Sequence, residues 1–403
     1  MPEAANQRAP YAAALYLAVV QFLFVTCWTL YVIFLPGLLE AAGLPRRYAP
    51  WILIVDQLTF MVMDVVTGVA ADRAGRALGC IGPLILGLTT VSCVAFLLIP
   101  HAAGLGAFSN AALLALILVW TVTSSALRAP PWVLLSRHAA APGVPWINAL
   151  MLTGLAVGAA IAPYLGITMK NLDPRLPFAL SSLTLLATTA GLIWVERVLS
   201  RQPAKPVMPA AAPARLTAGA WTLVAGCLLL ALGFQVHFSL NSAGQYLRLA
   251  GAERLPYLMP VFWIGFNLAM FAGAALTRRH GTLPVIAVAA LIGAAGALAS
   301  LLARDLDLLL AAQLTAGGAW GCIVMAIFSA AIEHGRSGRE GLALGMVFAA
   351  LAVATLARIA VVVADMDKAL AAYLEWAPIV LWCAGGLVFI ALARAMPARP
   401  ASA

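Results

Sequence analysis

Charge is scarce in this sequence. Only 10% of its 403 residues are Asp, Glu, Lys or Arg, against about a quarter in a soluble domain. Acidic residues are fewer than basic ones, 15 against 24. The deficit excludes a soluble globular fold. The net charge of +9 does not mark a nucleic-acid binder, because the basic residues stand singly between apolar runs. Histidine is rarer still, and no two of the five have metal-ligand spacing, so no metal site is expected. The cysteines Cys27, Cys80, Cys93, Cys227, Cys322 and Cys383 lie in apolar stretches without a C-x-x-C pair. They read as small packing residues, neither ligands nor disulfides. No nucleophile–base pair stands out, so neither an enzyme nor a cofactor is expected.

Apolar residues fill this gap. They make up 64% of the chain, with a mean hydropathy of +0.99. A membrane-spanning helix needs about 20 apolar residues. Twelve stretches qualify, from Ala12–Leu35 to Lys368–Ala395, and the expected fold is all-α. Arg8 followed by Ala12–Leu35 reads as a first span, not a cleaved signal. The fourth stretch, Asn110–His138, carries Pro130-Pro131 and should kink or end there. The Pro- and Ala-rich segment 200–217 reads as an extended linker. It divides the chain into two six-helix bundles, 1–199 and 218–403, and invites a search for internal repeats.

Placing the N-terminus inside puts fourteen Lys and Arg residues in inside segments and eight outside, with Arg128 and Arg358 within spans. The bias places both termini in the cytoplasm. Trp51, Trp146, Trp221 and Trp376 near span ends fit an interfacial belt. The Ala- and Arg-rich usage suggests a bacterial inner membrane. The expected partners are the lipid bilayer, a small-molecule substrate and protons, with no nucleic acid, in a monomer.

The strongest local signal is Gly68-Val-Ala-Ala-Asp72-Arg73-Ala-Gly75-Arg76 at the end of the second stretch. Gly68 allows close backbone approach in lipid. Asp72 is placed to accept from the free N–H groups that open a neighbouring helix. Arg73 and Arg76 mark a membrane edge. The block resembles the helix 2–3 loop of major facilitator superfamily transporters, G-x-x-x-D-R/K-x-G-R/K, at every defining position. A degenerate echo, Gly273…Arg278…Gly281, and the loop Arg336-Ser-Gly-Arg339-Glu340-Gly341 add to the resemblance. It implies two pseudo-symmetric six-helix halves around a central cavity, alternating access, and a gating role for Gly68, Asp72, Arg73, Gly75 and Arg76.

Ionisable residues inside spans are expensive and mark function. Asp56, Asp64 and Arg128 are the candidates for proton or ion coupling. Asp56 and Asp64 are eight residues apart on one helix, so about 80° apart around it. Asp64-x-x-x-Gly68-x-x-x-Asp72-Arg73 resembles helix 2 of the cation-coupled glycoside symporters. Here Val65 replaces the usual proline and Phe60 a second acid, which weakens a sodium site, since sodium wants several oxygen ligands. A lone buried carboxyl suits proton transfer, since burial penalises its charged form. Alternatively, Asp64 and Arg128 form a permanent structural bridge. Arg358 either snorkels toward Asp365 or Asp367 or binds an anion. The polar run Gln235, His237 and Asn241, with Asn267, Gln313, Tyr31 and Trp320, completes the candidate substrate-binding set. The expected function is secondary transport of a small organic solute, proton-coupled, the solute being an organic anion or sugar-like. The alternatives are a drug or metabolite efflux antiporter, hinted at by Gly154-x-x-x-Gly158 with Pro163, and a receptor or lipid-handling protein.

Overall fold

The computed structural model describes residues 2–77, 80–136, 143–200, 217–335 and 338–395. Among these residues every regular element is helical. In chain order they are α1 (Pro2–Ala41), α2 (Ala49–Ala77), α3 (Gly82–Leu98), α4 (Ser109–Ser124), α5 (Ala129–Ser136), α6 (Val144–Met169), α7 (Arg175–Ala190), α8 (Leu192–Ser200) and α9 (Ala218–Phe234). There follow α10 (Ser242–Leu247), α11 (Leu255–Leu258), α12 (Pro260–His280), α13 (Thr282–Leu302), α14 (Leu306–Gly335), α15 (Glu340–Val363), α16 (Met366–Ala369) and α17 (Ala371–Ala395). A π-helical segment, Gln235–Asn241, joins α9 to α10.

Eleven segments are long and apolar enough to cross a bilayer. One of them, Gly82–Ser136, has 55 residues. That is about 80 Å of helix at 1.5 Å per residue, more than twice a hydrocarbon core. It breaks at the tight turn Ile99–Phe108, where Gly106 takes φ 57°. It is therefore two crossings, and the total is the expected twelve. The apolar faces left exposed, with Leu15, Val62, Leu268 and Leu387 on them, are those that meet lipid. This is an integral membrane protein.

Helices α1–α8 pack among themselves, as do α9–α17. The segment 200–217 expected to link them lies, apart from its two end residues, outside the described residues. Close crossings rest on glycine. A Cβ on Gly154 of α6 would strike the Ala18 carbonyl of α1, and one on Gly317 of α14 the Phe262 carbonyl of α12. The Gly154-x-x-x-Gly158 pair is thus a packing face: a Cβ on Gly158 would come within 3.0 Å of the Val25 side chain.

The two groups touch along α6 and α12, and they also meet at the end where Asp72 lies. There α2 and α5 lie on α15, and α6 lies on α14. Asn148 Nδ2 donates to Ser329 Oγ at 3.0 Å, and Trp132 rests on Phe328 and Phe348 with centroids 5.2 and 5.6 Å apart. At the other end α6 meets α11 through Tyr164 and Tyr257, 5.5 Å apart. The space between the groups is shut where Asp72 lies.

Substitution at a crossing should cost stability where the same change in open space does not. Gly154→Val forces a side chain into the α1 backbone, and overpacking costs about 1–3 kcal/mol. Gly166, on the same helix, has nothing within 4 Å of its Cβ position. Thermal unfolding in detergent should show a lower midpoint for Gly154→Val and little change for Gly166→Val.

Candidate substrate cavity and gate

Helix α2 carries three acids at eight-residue spacing, and each meets a different neighbour. Asp56 is 2% exposed. Tyr31 donates to its Oδ2 and Thr121 to its Oδ1, each at 2.8 Å. Aromatic rings enclose it: Tyr31 and Trp120 lie 4.6 Å apart, and Trp28 stacks on Trp120 at 5.5 Å. Asp64 has no exposed surface. Arg128 Nε donates to both its oxygens, at 2.8 and 3.0 Å. Asp72 accepts from the backbone amides of Gly341 and Leu342 at 2.8 and 2.9 Å. These are among the orphan donors that open α15. Gly68 makes this possible, since a Cβ there would strike the Gly341 carbonyl. Arg73 is exposed and Gly75 buried; the side chain of Arg76 lies outside the described residues.

Arg128 owes its position to a broken helix. Pro130 and Pro131 lack N–H groups, so the carbonyls of Ala126 and Leu127 lose their helical donors. The chain tightens into a 3₁₀ turn at Ser125–Leu127, Arg128 takes φ −92° and ψ −89°, and α5 restarts at Ala129. Gln21 Nε2 then donates to the freed Leu127 carbonyl at 2.7 Å. The predicted break therefore falls five residues ahead of Pro130, at Ser125. The guanidinium lies against two rings, Phe60 at 4.7 Å and Phe348 at 5.0 Å. Its side chain is 19% exposed and lines a cavity of about 220 Å³ between the two helix groups. Gln21, Gln57 and Thr355 supply the other polar groups, with Trp28 and the two phenylalanines as apolar wall. Among the described residues no acceptor engages the Arg128 terminal nitrogens.

The remaining candidates divide. Gln235 donates to Thr355 Oγ1 at 2.8 Å, which puts it beside the cavity. His237 and Gln313 are bonded to each other, 3.2 Å apart, in a buried network with Ser242 and Gln245. Asn241 donates to the Leu374 carbonyl and lines a separate cavity. Asn267 donates to the Trp263 carbonyl of its own helix. Trp320 is buried against Phe234, stacked at 4.6 Å, and Tyr31 is committed to Asp56. Arg358 makes no ion pair with Asp365 or Asp367 among the described residues, and its Nε is buried without a hydrogen bond.

The sequence profile of the Major Facilitator Superfamily matches residues 17–357. The chain belongs to this superfamily. Its fold agrees. The E. coli fucose:proton symporter FucP superposes with a TM-score of 0.69 at 15% identity, over 96% of this chain and 99% of that one. The human organic anion transporter MFSD10 gives 0.67 at 15%, over 95% and 98%. A bacterial homologue of the iron transporter ferroportin, in an outward-facing state, gives 0.72 at 14%, over 95% and 99%. No curated protein matches the chain in sequence.

Facilitator cavities form where the halves face each other, and four residues here escaped sequence reasoning: Gln21, Gln57, Phe348 and Thr355. The two glutamines carried a legible signal. Each is an uncharged polar side chain stranded in an apolar span, where a polar group needs a partner or a cavity. Phe348 had none, since one aromatic in a hydrophobic helix looks like any other.

The contact between Asp72 and α15 generates a direct expectation. Asp72→Ala removes both acceptors, and loss of a cap weakens a helix start by about 0.5–2 kcal/mol. In a cysteine-free background, a cysteine at Ser329 on the shut face should then react several times faster with a membrane-impermeant maleimide than in the Asp72 parent.

Proposed function

We propose that this facilitator moves a small organic anion together with a proton by alternating access, with Arg128 as the anion's ligand. The observation that carries the reading is the guanidinium itself. Its Nε is fixed by Asp64 and its faces are covered by Phe60 and Phe348, while its terminal nitrogens face the cavity. That fork suits the two oxygens of a carboxylate.

Charge counting supplies the coupling. Asp64 and Arg128 form a neutral pair in a low-dielectric setting. An anion added to the free edge of Arg128 leaves a net negative charge there, which is costly away from water. A proton added to Asp64 restores neutrality. Proton and anion together therefore load the site without a net charge, and either alone does not. The gate fits this cycle as well: the Asp72 end is shut, which is an outward-facing state when the termini lie in the cytoplasm, the orientation favoured by the Lys and Arg bias.

A second reading takes the cavity's neutral side. Gln21, Gln57, Gln235 and Thr355 with Trp28 could hold a hydroxylated ring, and the fucose symporter among the structural neighbours is a sugar carrier. Arg128 decides against giving it first place, because a neutral sugar leaves the cation's free edge without an anion.

Reconstituted proteoliposomes test the proposal. A pH gradient, acid on the loading side, should drive uphill uptake of monocarboxylates, and a protonophore should abolish it. Asp64→Asn should retain exchange and lose uphill flux, and Arg128→Gln should lose both. Uphill flux that follows sodium and ignores the proton gradient would reject the coupling; uptake of sugars in place of carboxylates would favour the second reading.

A further inference from the structure

The C-terminal half holds a second cavity, of about 450 Å³, at the end away from Asp72. It lies between α10 on one side and α16 and α17 on the other. Its two walls differ in chemistry. The α10 wall presents Arg248 and the Gln245 amide. Gln245 is only 6% exposed. Its Oε1 is taken by Gln313 Nε2 at 3.0 Å, so the opposite end of the same amide, Nε2, is a donor without a partner among the described residues. The facing wall presents the carboxylates of Asp367 and Glu375. Neither carboxylate pairs with Arg248 or with any other cation among the described residues. Leu240, Leu301, Val362 and Leu374 supply apolar surface between the walls.

This cavity connects to the central one through hydrogen bonds. Ser239, on its rim, donates to Gln235 Oε1 at 3.2 Å. Gln235 Nε2 donates to Thr355 Oγ1 at 2.8 Å, and Thr355 lines the central cavity. The π-helical turn Gln235–Asn241 carries this chain. On the turn's other side, Ser242 Oγ donates to the His237 carbonyl at 2.9 Å, fixing the wide turn in place. A π-turn in an otherwise α-helical span costs regular hydrogen bonding and recurs at functional positions.

We infer that this outer cavity is a binding chamber for a small zwitterion with an apolar side chain, an amino-acid-like solute. Its carboxylate meets Arg248 and the Gln245 amide, its ammonium group meets Asp367 and Glu375, and its side chain lies on the leucines. A solute with one charge leaves one wall unmatched, and unmatched charge is what gives such a site its selectivity. The inference concerns a site separate from Arg128 and does not depend on what the central cavity carries.

Equilibrium binding to the purified full-length protein tests it, using radiolabelled leucine and phenylalanine, with 4-methylpentanoate and isopentylamine as competitors that each lack one charge. Saturable binding of at least one of the two amino acids is expected. The single-charge analogues should compete about tenfold less well. Arg248→Gln and the double variant Asp367→Asn, Glu375→Gln should each weaken binding about tenfold, and Arg128→Gln should leave it unchanged. Thermal unfolding of each variant separates lost binding from lost fold. Absence of saturable binding of both amino acids, equal competition by the single-charge analogues, or loss of binding in Arg128→Gln would overturn the inference. In the last case the solute sits in the central cavity, and the outer one is only an opening.

Discussion

A carboxylate in hydrocarbon must be matched, and helix α2 has to match three. Their spacing decides how. Eight residues turn a helix by about 80° beyond two full turns, so successive acids face different neighbours and no two share a partner. Asp56 meets two hydroxyls from α1 and α4. Asp64 meets a guanidinium at the break between α4 and α5. Asp72 meets two backbone amides at the start of α15. The same helix thereby ties together its own bundle, the cavity wall and the opposite half. A comparable carboxylate cap recurs within the N-terminal half, where Glu196 accepts from the amides of Ile81 and Gly82 at the start of α3, at 2.6 and 2.9 Å.

Such matching needs close approach, and the sequence supplies it through what it leaves out. At the crossing of α2 and α15, Gly68 and Gly341 put backbone against backbone, and Gly345 lies beside Asp64 and Val65, where a Cβ would come within 2.5 Å of the Asp64 carbonyl. Without those three glycines the Asp72 carboxylate could not reach the α15 amides. The prolines act in the opposite sense. Pro130 and Pro131 delete donors, open the helix and leave a carbonyl that Gln21 must fill, and the irregular backbone that results sets Arg128 beside the cavity. Non-helical backbone at membrane depth is tolerated where protein buries it or a cavity borders it.

Legibility in the sequence followed the strength of local constraint. The spans were readable because lipid demands long apolar runs, and the Gly68–Arg76 block because a charged turn between two such runs is conspicuous. The family followed from that block. The break before Pro130 was readable in kind, although it begins at Ser125, because restoring the lost hydrogen bonds takes a full turn ahead of the prolines. The π-turn at Gln235–Asn241 was hidden, since a π-turn differs from an α-turn only in which carbonyl each amide selects. The cavity wall was half legible. Arg128 and Gln235 announced themselves by polarity, but which apolar side chains cover a guanidinium depends on how two distant helices pack. Residues such as Trp320 and Tyr31 show the converse: mid-span aromatics look like lining and serve as packing or as partners for an acid.

The two buried acids of α2 are not equivalent as proton carriers, and hydrogen-bond chemistry separates them. A hydroxyl both donates and accepts. Asp56, held by Tyr31 and Thr121, is satisfied as a carboxylate that accepts from both, and equally as an acid that donates to one and accepts from the other. Its proton has no other charge to answer to. Arg128 can only donate, so Asp64 is satisfied by it only as a carboxylate. Protonating Asp64 leaves Arg128 with an unanswered positive charge beside the cavity, and that charge calls for an anion. A proton on Asp56 could come and go without the cavity responding, whereas a proton on Asp64 changes what the cavity binds. The proton coupling proposed above requires that second property, which favours the acid already paired over the one free of any cation.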